Sequence, residues 1–458
     1  MTQTLITNIA YGLTGDAAGS RFSGALRIKD GIITAIGALT PEAEDSIVDA
    51  AGCVVTPGLV NTHHHLFQSV LKAVPEGMNA PLDLWLKHVP YTYWPLIDTE
   101  ILRTSAQIGL TELILSGATT VCDHHYVFCD RYDYDPAQVL FDTAAEFGLR
   151  FVLARGGMTK GRPFDDPGIP LPPLETLDQF LTQTARAADR WHQTGPTAMT
   201  KLAVAPTTPT FNVLASELPL IASFARDKGL RLHAHLSENK TYVDYTQSLY
   251  GLRPVPWLAQ QDWLGPDVWF AHLVECTPDE LRLLAETGTG MAHCPQANAR
   301  LGSGIAPAVA LAAAGGCVSL AVDGAGANEA ADMGAALYRD FALHRSQNGP
   351  EACTAETVLH WASESGARML GFENLGRIAV GQQADLCLFD LGHPRNMGLH
   401  DPALAPVITG AATVKHSFVA GNRLVVDGQI PGLDLMDLGE RARSAVAMLK
   451  AKRAQCAT

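Results

Sequence analysis

The sequence NTHHHLFQ at residues 61–68 places three histidines directly after an apolar run, residues 53–60, that is typical of a buried strand. In an extended chain, residues two apart share a face, so His63 and His65 can direct both imidazoles at one ion while His64 points away. Zinc takes about four ligands, so two nitrogen donors are half of a site. This stretch predicts such a half-site, although a His-x-His pair also arises by chance in a chain with 16 histidines.

The composition is that of a globular protein large enough for one large domain and a smaller one: 458 residues, 47% of them hydrophobic and 17% charged. The net charge of -14, without a basic run, argues against binding to nucleic acid or to an anionic membrane and favours a small-molecule substrate. An odd number of cysteines without a C-x-x-C pair argues against a disulfide framework. Because the start of the chain also lacks a signal-peptide pattern, we expect a cytoplasmic protein.

Short strand-like segments at both ends of the chain predict one small β domain. They lie at 4–9, 25–28 and 32–36 near the start and at 384–389, 414–419 and 424–426 near the end. The turn formers Asp30-Gly31 and Ala420-Gly421-Asn422 indicate hairpins within them. We therefore expect residues 1–58 and 371–433 to form a discontinuous β-sandwich. Residues 434–458 have apolar positions at helical spacing, which predicts a C-terminal helix packed on the larger domain.

Residues 59–370 alternate strand-like runs with helical segments, which predicts an α/β domain. Thr277-Pro278-Asp279-Glu280 starts one of these helices with a capping box, because threonine precedes proline at the first helical position and glutamate at the third. Eight runs have strand character: 59–63, 119–123, 150–155, 201–205, 231–235, 268–272, 290–293 and 317–323. Eight β/α units in one chain predict a (β/α)8 TIM-like barrel.

Nearly every one of these runs ends on a side chain capable of chemistry. These residues are His63, His65, Asp123, His124, Arg155, His235, His272, His293 and Asp323. In a β/α barrel the C-terminal ends of the strands converge on one face, where active sites lie. Taken alone, any one of these residues is more often a structural residue than a catalytic or metal-binding one. Their recurrence at the same end of the strands predicts an active site.

Two of these residues, His235 and Asp323, complete the metal half-site, and Glu238 adds a proton carrier. His235 ends the fifth run and can supply a third nitrogen, while Glu238, three residues later, is placed to move protons without binding the ion. Asp323 follows the buried run 318–322, and a carboxylate at a low-dielectric strand end is tolerated best beside a cation. The sequence predicts three imidazoles and one carboxylate around one ion.

Motifs along nearly the whole chain resemble the amidohydrolase superfamily, in particular its mononuclear cytosine/guanine deaminase-like branch. They are PGLVNTHxH at 57–65, HxxE at 235–238, AHL at 271–273, HCP at 293–295, VDG at 322–324 and GxxADL at 381–386. The resemblance implies one divalent metal ion, zinc, bound by His63, His65, His235 and Asp323. It also implies that Glu238 shuttles protons and that His272 and Asp323 orient the attacking water. The binuclear branch carries a lysine at the end of strand four, where this chain has VAPT at 204–207.

The resemblance further implies hydrolytic deamination of a fused heterocycle. Isoxanthopterin, deaminated to 7-oxolumazine, is the expected substrate, and 8-oxoguanine, guanine or a triazine is the alternative. Gln68 has a carboxamide that can both donate to and accept from the 2-amino-4-oxo edge of such a ring, and Arg155 can donate to a carbonyl on the second ring. Trp85 and Tyr126 are candidate stacking or lid residues. The chain departs from common relatives at two positions, because Ala297 and Ala327 stand where serine is frequent. A homo-oligomer, such as a dimer, is a further expectation from the resemblance.

Overall fold

The computed structural model describes residues 3–128, 132–161 and 174–456, and the strands within them form two sheets of eight strands each. In chain order the strands are β1 (Gln3–Leu13), β2 (Arg21–Lys29), β3 (Ile32–Gly37), β4 (Asp45–Asp49), β5 (Cys53–Pro57), β6 (Leu59–Asn61), β7 (Ala118–His125), β8 (Arg150–Gly157), β9 (Thr200–Pro206), β10 (Arg231–Leu236), β11 (Val268–His272), β12 (Gly290–His293), β13 (Cys317–Leu320), β14 (Leu386–Asp390), β15 (Val414–Val419) and β16 (Asn422–Val425).

The helices pack around these sheets. They are α1 (Leu82–Leu86), α2 (Thr99–Leu115), α3 (Pro136–Phe147), α4 (Leu177–Trp191), α5 (Pro209–Asn212), α6 (Leu218–Asp227), α7 (Lys240–Tyr250), α8 (Pro254–Ala259), α9 (Pro278–Thr287), α10 (Pro295–Arg300), α11 (Ala308–Ala313), α12 (Ala325–Asn328), α13 (Met333–Asn348), α14 (Ala355–His360), α15 (Gly366–Met369), α16 (Ala405–Ile408) and α17 (Leu435–Cys456). None of the described helices is both long and apolar enough to cross a membrane.

The smaller sheet joins the two ends of the chain, as predicted. Its strand order is β16-β15-β14-β5-β1-β2-β3, with β4 paired to β1, and it has an apolar core of its own that includes Ile6, Leu26 and Phe418. The predicted sandwich therefore takes the form of one continuous mixed sheet. Asp30 and Gly31, with φ of 48° and 81°, turn the chain between β2 and β3. The domain boundaries themselves stay predictions, and residues 1, 2, 457 and 458 lie outside the described residues.

The larger sheet is the predicted (β/α)8 barrel. Each of the eight predicted runs overlaps one strand of a parallel sheet ordered from β6 to β13. The first and last strands also meet, because the Thr62 amide donates to the Leu320 carbonyl at 3.5 Å and the Thr62 and Ser319 hydroxyls lie 2.7 Å apart. Closing the sheet removes its unpaired edges and brings the C-terminal ends of all eight strands to one face.

Local sequence signals fix several of the surrounding helices. The capping box predicted at Thr277 is present at the start of α9, where the Thr277 hydroxyl accepts from the Glu280 amide and the Glu280 carboxylate accepts from the Thr277 amide. The C-terminal helix α17 packs against α2, and its buried positions include Leu438, Ala445 and Leu449. Those three residues recur at seven- and four-residue intervals, so they lie on one helical face.

Candidate metal centre and active site

Three histidines from two strands of the barrel converge at its C-terminal face. His63 and His65 follow β6, and His235 lies near the end of β10. The Nε2 atoms of His65 and His235 are 3.1 Å apart. Ring nitrogens of these three residues and of His124 all lie within 4.8 Å of one another. The structure thus brings together the three nitrogen donors that the sequence predicts, although 170 residues separate His65 from His235.

The predicted carboxylate lies beside these rings. Asp323 Oδ1 is 3.5 Å from His63 Nε2 and 3.4 Å from His65 Nε2. The backbone holds it there: the Asp323 amide donates to the His63 carbonyl at 3.1 Å, and the residue adopts a positive φ of 63°. A non-glycine residue in this conformation carries a conformational cost that the surrounding contacts must offset, which is common at functional sites.

Hydrogen bonds at the far nitrogens orient the imidazoles. His65 Nδ1 lies 2.7 Å from the His124 carbonyl, and His235 Nδ1 lies 2.7 Å from the Thr207 carbonyl. A carbonyl only accepts, so each Nδ1 carries the proton and each Nε2 directs a lone pair at the centre. His63 Nδ1 lies 2.8 Å from His233 Nε2, and His233 Nδ1 lies 3.0 Å from the Trp269 carbonyl. His233 Nε2 therefore accepts a hydrogen bond from His63 Nδ1, and this bond fixes the tautomer of His63.

The donor set fits a divalent metal ion. Burial is the main cause that lowers the pKa of His63, His65 and His235, so these imidazoles are neutral donors at neutral pH. His63 Nε2 is buried and has no hydrogen-bond partner among the described residues, which is costly unless an ion takes the lone pair. Three neutral imidazoles and one carboxylate are ligands that suit zinc, with room for water at an open position.

Glu238 and His272 adjoin the metal-binding group. Both residues line the cavity at the mouth of the barrel, and Glu238 Oε2 is 3.6 Å from His272 Nε2. The Asn298 side-chain oxygen lies 2.8 Å from His272 Nδ1 and fixes that ring, whose backbone has a φ of 75°. The arrangement places a carboxylate and an imidazole together beside the metal ligands, as general acid/base chemistry requires.

Three of the four predicted substrate-binding residues line the same cavity. Gln68, Trp85 and Tyr126 all lie there with His65, His235 and Asp323. The Trp85 ring nitrogen donates to the Gly326 carbonyl at 3.0 Å. The Gln68 side-chain oxygen is buried without a hydrogen-bond partner in the described part of the chain, which leaves it able to accept from a bound ring. Their roles in binding remain predictions.

Arg155, the fourth predicted substrate-binding residue, does not line this cavity, and its contact with the substrate stays a prediction. Its guanidinium makes two hydrogen bonds of 2.6 Å to the two carboxylate oxygens of Glu175 and lies over the rings of Phe128 and Phe180. Glu175 and Phe180 lie just before and within α4, so Arg155 points at the outer helical layer instead of at the cavity mouth. Strand alternation gives the reason, because neighbouring residues on β8 face opposite sides of the barrel wall.

Sequence reasoning did not assign roles to two groups of residues around the site. His124, which it identified only as a polar strand end, and His233, which it did not single out, adjoin the predicted metal ligands. The cavity is also lined by residues on loops and short helices, which strand periodicity does not single out: Tyr91, Thr207, Thr208, Phe211, Asn239, Tyr242 and Leu301. Ala297 and Ala327, at the positions where serine is frequent, are buried in α10 and α12.

Comparison with known proteins assigns the family. The sequence pattern described as Amidohydrolase family matches residues 54–424, which spans the whole barrel and all of its metal-binding group. The chain belongs to the amidohydrolase family. The family resemblance inferred from the strand-end motifs is thereby confirmed.

Individual amidohydrolases with curated names are also similar over nearly the whole chain. An isoxanthopterin deaminase from an unknown prokaryotic organism is 44% identical over 468 aligned residues, which cover 97% of each chain. An 8-oxoguanine deaminase from Pseudomonas aeruginosa is 39% identical, covering 98% of this chain and 99% of its own. The crystal structure of an atrazine chlorohydrolase from Arthrobacter aurescens, complexed with zinc, superimposes with a TM-score of 0.89 at 26% identity, covering 97% of this chain and 100% of that one. These amidohydrolase relatives are hydrolytic enzymes, most of them deaminases.

Proposed function

We propose that the protein is a zinc-dependent hydrolytic deaminase that converts isoxanthopterin to 7-oxolumazine and ammonia. The observation that carries the proposal is the 44% identity to an isoxanthopterin deaminase over 97% of both chains. The site supports it, because Glu238, His272 and the four metal-binding side chains adjoin the cavity that Gln68 lines. The predicted roles of His63, His65, His235 and Asp323 as ligands are part of this proposal.

The reaction replaces one bond with another at the ring carbon that bears the amino group. A divalent ion held by these side chains supplies a Lewis acid that makes water nucleophilic near neutral pH. Glu238 accepts the proton of the attacking water and delivers it to the departing nitrogen. Oxygen bonds to the ring carbon, the carbon–nitrogen bond breaks, and nitrogen leaves as ammonia. No redox partner is needed.

The residues of the chain divide this work by position. His272, fixed by Asn298, and Asp323, fixed by its backbone bond to His63, orient the attacking water between them. Gln68 offers a carbonyl oxygen with no partner among the described residues, which suits an N–H of the amino-oxo edge, and its amide nitrogen suits the oxo group. Trp85 and Tyr126 provide flat apolar faces for a fused ring.

A second candidate substrate is 8-oxoguanine, because the relative with 39% identity is an 8-oxoguanine deaminase. The two rings share the 2-amino-4-oxo edge that we assign to Gln68. Release of ammonia from isoxanthopterin, pterin, 8-oxoguanine, guanine and a triazine separates these possibilities. We expect the highest kcat/KM for isoxanthopterin and a slower reaction with 8-oxoguanine. A higher value for guanine or for the triazine would overturn the substrate assignment, and purified Glu238→Gln protein controls for contaminating deaminases.

A further inference from the structure

A second group of metal-binding side chains lies away from the ligands described above, between the barrel and its helical layer. His293 ends strand β12, and Asp340 and His344 lie one turn apart on helix α13. We call these three residues the outer cluster. All three are buried, with exposed fractions of 0%. They form a group in which one atom of each residue lies within 4.8 Å of the others.

The three polar atoms of the outer cluster are in mutual contact. Asp340 Oδ1 lies 3.0 Å from His293 Nε2 and 3.1 Å from His344 Nε2, and the two Nε2 atoms are 3.2 Å apart. At the centre described above, the corresponding separations are 3.1 Å between His65 Nε2 and His235 Nε2 and 3.4 Å between His65 Nε2 and Asp323 Oδ1. The outer cluster is therefore at least as compact as the catalytic ligand group.

The one hydrogen bond of acceptable geometry within the cluster joins the two Nε2 atoms and does not involve Asp340. Although the nitrogens are close to Asp340, neither of its carboxylate oxygens has a hydrogen bond of acceptable geometry among the described residues. A ring N–H shared between His293 and His344 would satisfy the nitrogens and leave a buried carboxylate without a partner, which costs several kcal/mol. A cation between the three atoms would take a lone pair from each of them at once.

We propose that the outer cluster binds a second divalent transition-metal ion, with zinc as the best match to its two nitrogen donors and one oxygen donor. Separations of 3.0 to 3.2 Å between donor atoms are those of ligands about 2.0 to 2.2 Å from one shared ion. Water completes the coordination, since the residues supply three donors. The ion joins β12 to α13, so its role is to fasten a helix to the barrel wall. The single ion predicted from the sequence belongs to the catalytic centre, and this one is additional.

Metal content measured on the full chain, purified with zinc and then desalted, tests the proposal. We expect about two zinc ions per chain in the wild type and about one in Asp340→Asn, in His344→Gln and in His235→Ala. The double variant His235→Ala, Asp340→Asn should hold almost none. Arg339→Gln, which changes an exposed neighbour on the same helix, is the matched control and should retain two.

Thermal unfolding supplies a readout that does not depend on activity. In His235→Ala, which lacks a catalytic ligand, adding zinc to chelator-treated protein should still raise Tm, because the outer cluster binds zinc only in the folded chain. The same addition to His235→Ala, Asp340→Asn should raise it much less. One zinc in the wild type, together with no zinc-dependent rise in His235→Ala, would show that the outer cluster holds a proton and not a metal. If the Asp340 variant fails to fold, the wild-type content and the His235→Ala titration decide alone.

Discussion

His63 and His233 are joined ring to ring: Nδ1 of His63 lies 2.8 Å from Nε2 of His233, and Nδ1 of His233 lies 3.0 Å from the Trp269 carbonyl. His233 Nδ1 donates a hydrogen bond to the Trp269 carbonyl, so His233 Nε2 can only accept one from His63 Nδ1. His63 Nε2 therefore carries no proton and has a free lone pair. Two residues away on the same strand lies His235, one of the proposed metal ligands. One strand thus carries both a proposed ligand and the residue that positions another.

Replacement of His233 by alanine should weaken metal binding without removing a ligand. His63 would lose the acceptor that holds its tautomer, and loss of such a partner typically lowers metal affinity about 10- to 100-fold. Titration against a chelator of known affinity measures the change. His192→Ala, at a partly buried histidine that accepts from the Leu202 amide near the opposite end of the barrel, is the control. Unchanged affinity in His233→Ala would show that the hydrogen bond does not tune the metal.

Glu238→Gln should keep the metal and the fold but lower kcat by about 10²- to 10⁴-fold. The amide has nearly the shape of the carboxylate and cannot take the proton of the attacking water. Its substrate affinity should change little. Steady-state kinetics with metal analysis on the same sample give the result, and turnover near the wild-type rate would mean that another group moves the proton.

Gly324→Ala should impair substrate binding by displacing Gln68. A Cβ at residue 324 would lie 2.1 Å from the Gln68 side-chain oxygen, although the backbone at this position accepts any residue. Loss of one hydrogen bond to a buried ring costs about 1 to 3 kcal/mol, which corresponds to a fall of roughly 5- to 150-fold in kcat/KM. Gly439→Ala in helix α17, where the nearest atom is the Arg443 guanidinium at 3.6 Å, is the control. A KM and kcat equal to wild type in Gly324→Ala would remove Gln68 from the binding site.

Arg155→Leu should destabilise the protein without changing substrate preference. It would leave Glu175 as a buried carboxylate without its guanidinium, and removing one partner of a buried ion pair costs about 3 to 5 kcal/mol. The kcat/KM ratio between isoxanthopterin and pterin should equal that of the wild type. Urea unfolding measures the change in the free energy of unfolding, and steady-state kinetics with both substrates measure the kcat/KM ratio. A changed ratio with unchanged stability would restore the interpretation of Arg155 as a substrate contact.

Removal of Arg27 should make the smaller sheet less stable at neutral pH but not in strong acid. Hydrogen bonding to Arg27 is the largest cause that lowers the pKa of Asp45 from 3.8 to about 2. Because the folded value is the lower one, this stabilisation is present above about pH 4 and is lost as the pH falls through about 2. The Tm difference between Arg27→Gln and wild type should therefore shrink below pH 4. Lys29→Gln, at an exposed position on the same strand, controls for loss of charge.

Strand periodicity predicted the barrel, and the polar strand ends singled out the histidines and Asp323 that the structure brings together, because both patterns follow from the local alternation of the chain. The same reasoning does not show which strand-end side chains face inward, because a strand end includes residues from both faces of the sheet. Arg155 at the end of β8 pairs with Glu175 and does not line the cavity. Strand ends also do not single out Asp340 and His344 of the proposed outer cluster, because these two residues lie on helix α13. Cavity residues such as Phe211 and Tyr242 come from loops and helices whose positions depend on tertiary packing.

The contact between the first and last strands of the barrel determines when during synthesis the protein can bind its metal ion. Asp323 follows the last strand and is tied to the His63 carbonyl just after the first, so the ligand group exists only after the two ends of the barrel have met. A nascent chain that has not yet released residue 323 holds the histidines without the carboxylate, and it cannot assemble the full set. Tight metal binding would then show that the chain has been synthesised beyond residue 323 and that the barrel has closed, and the ion would connect the first and the last strand of the barrel.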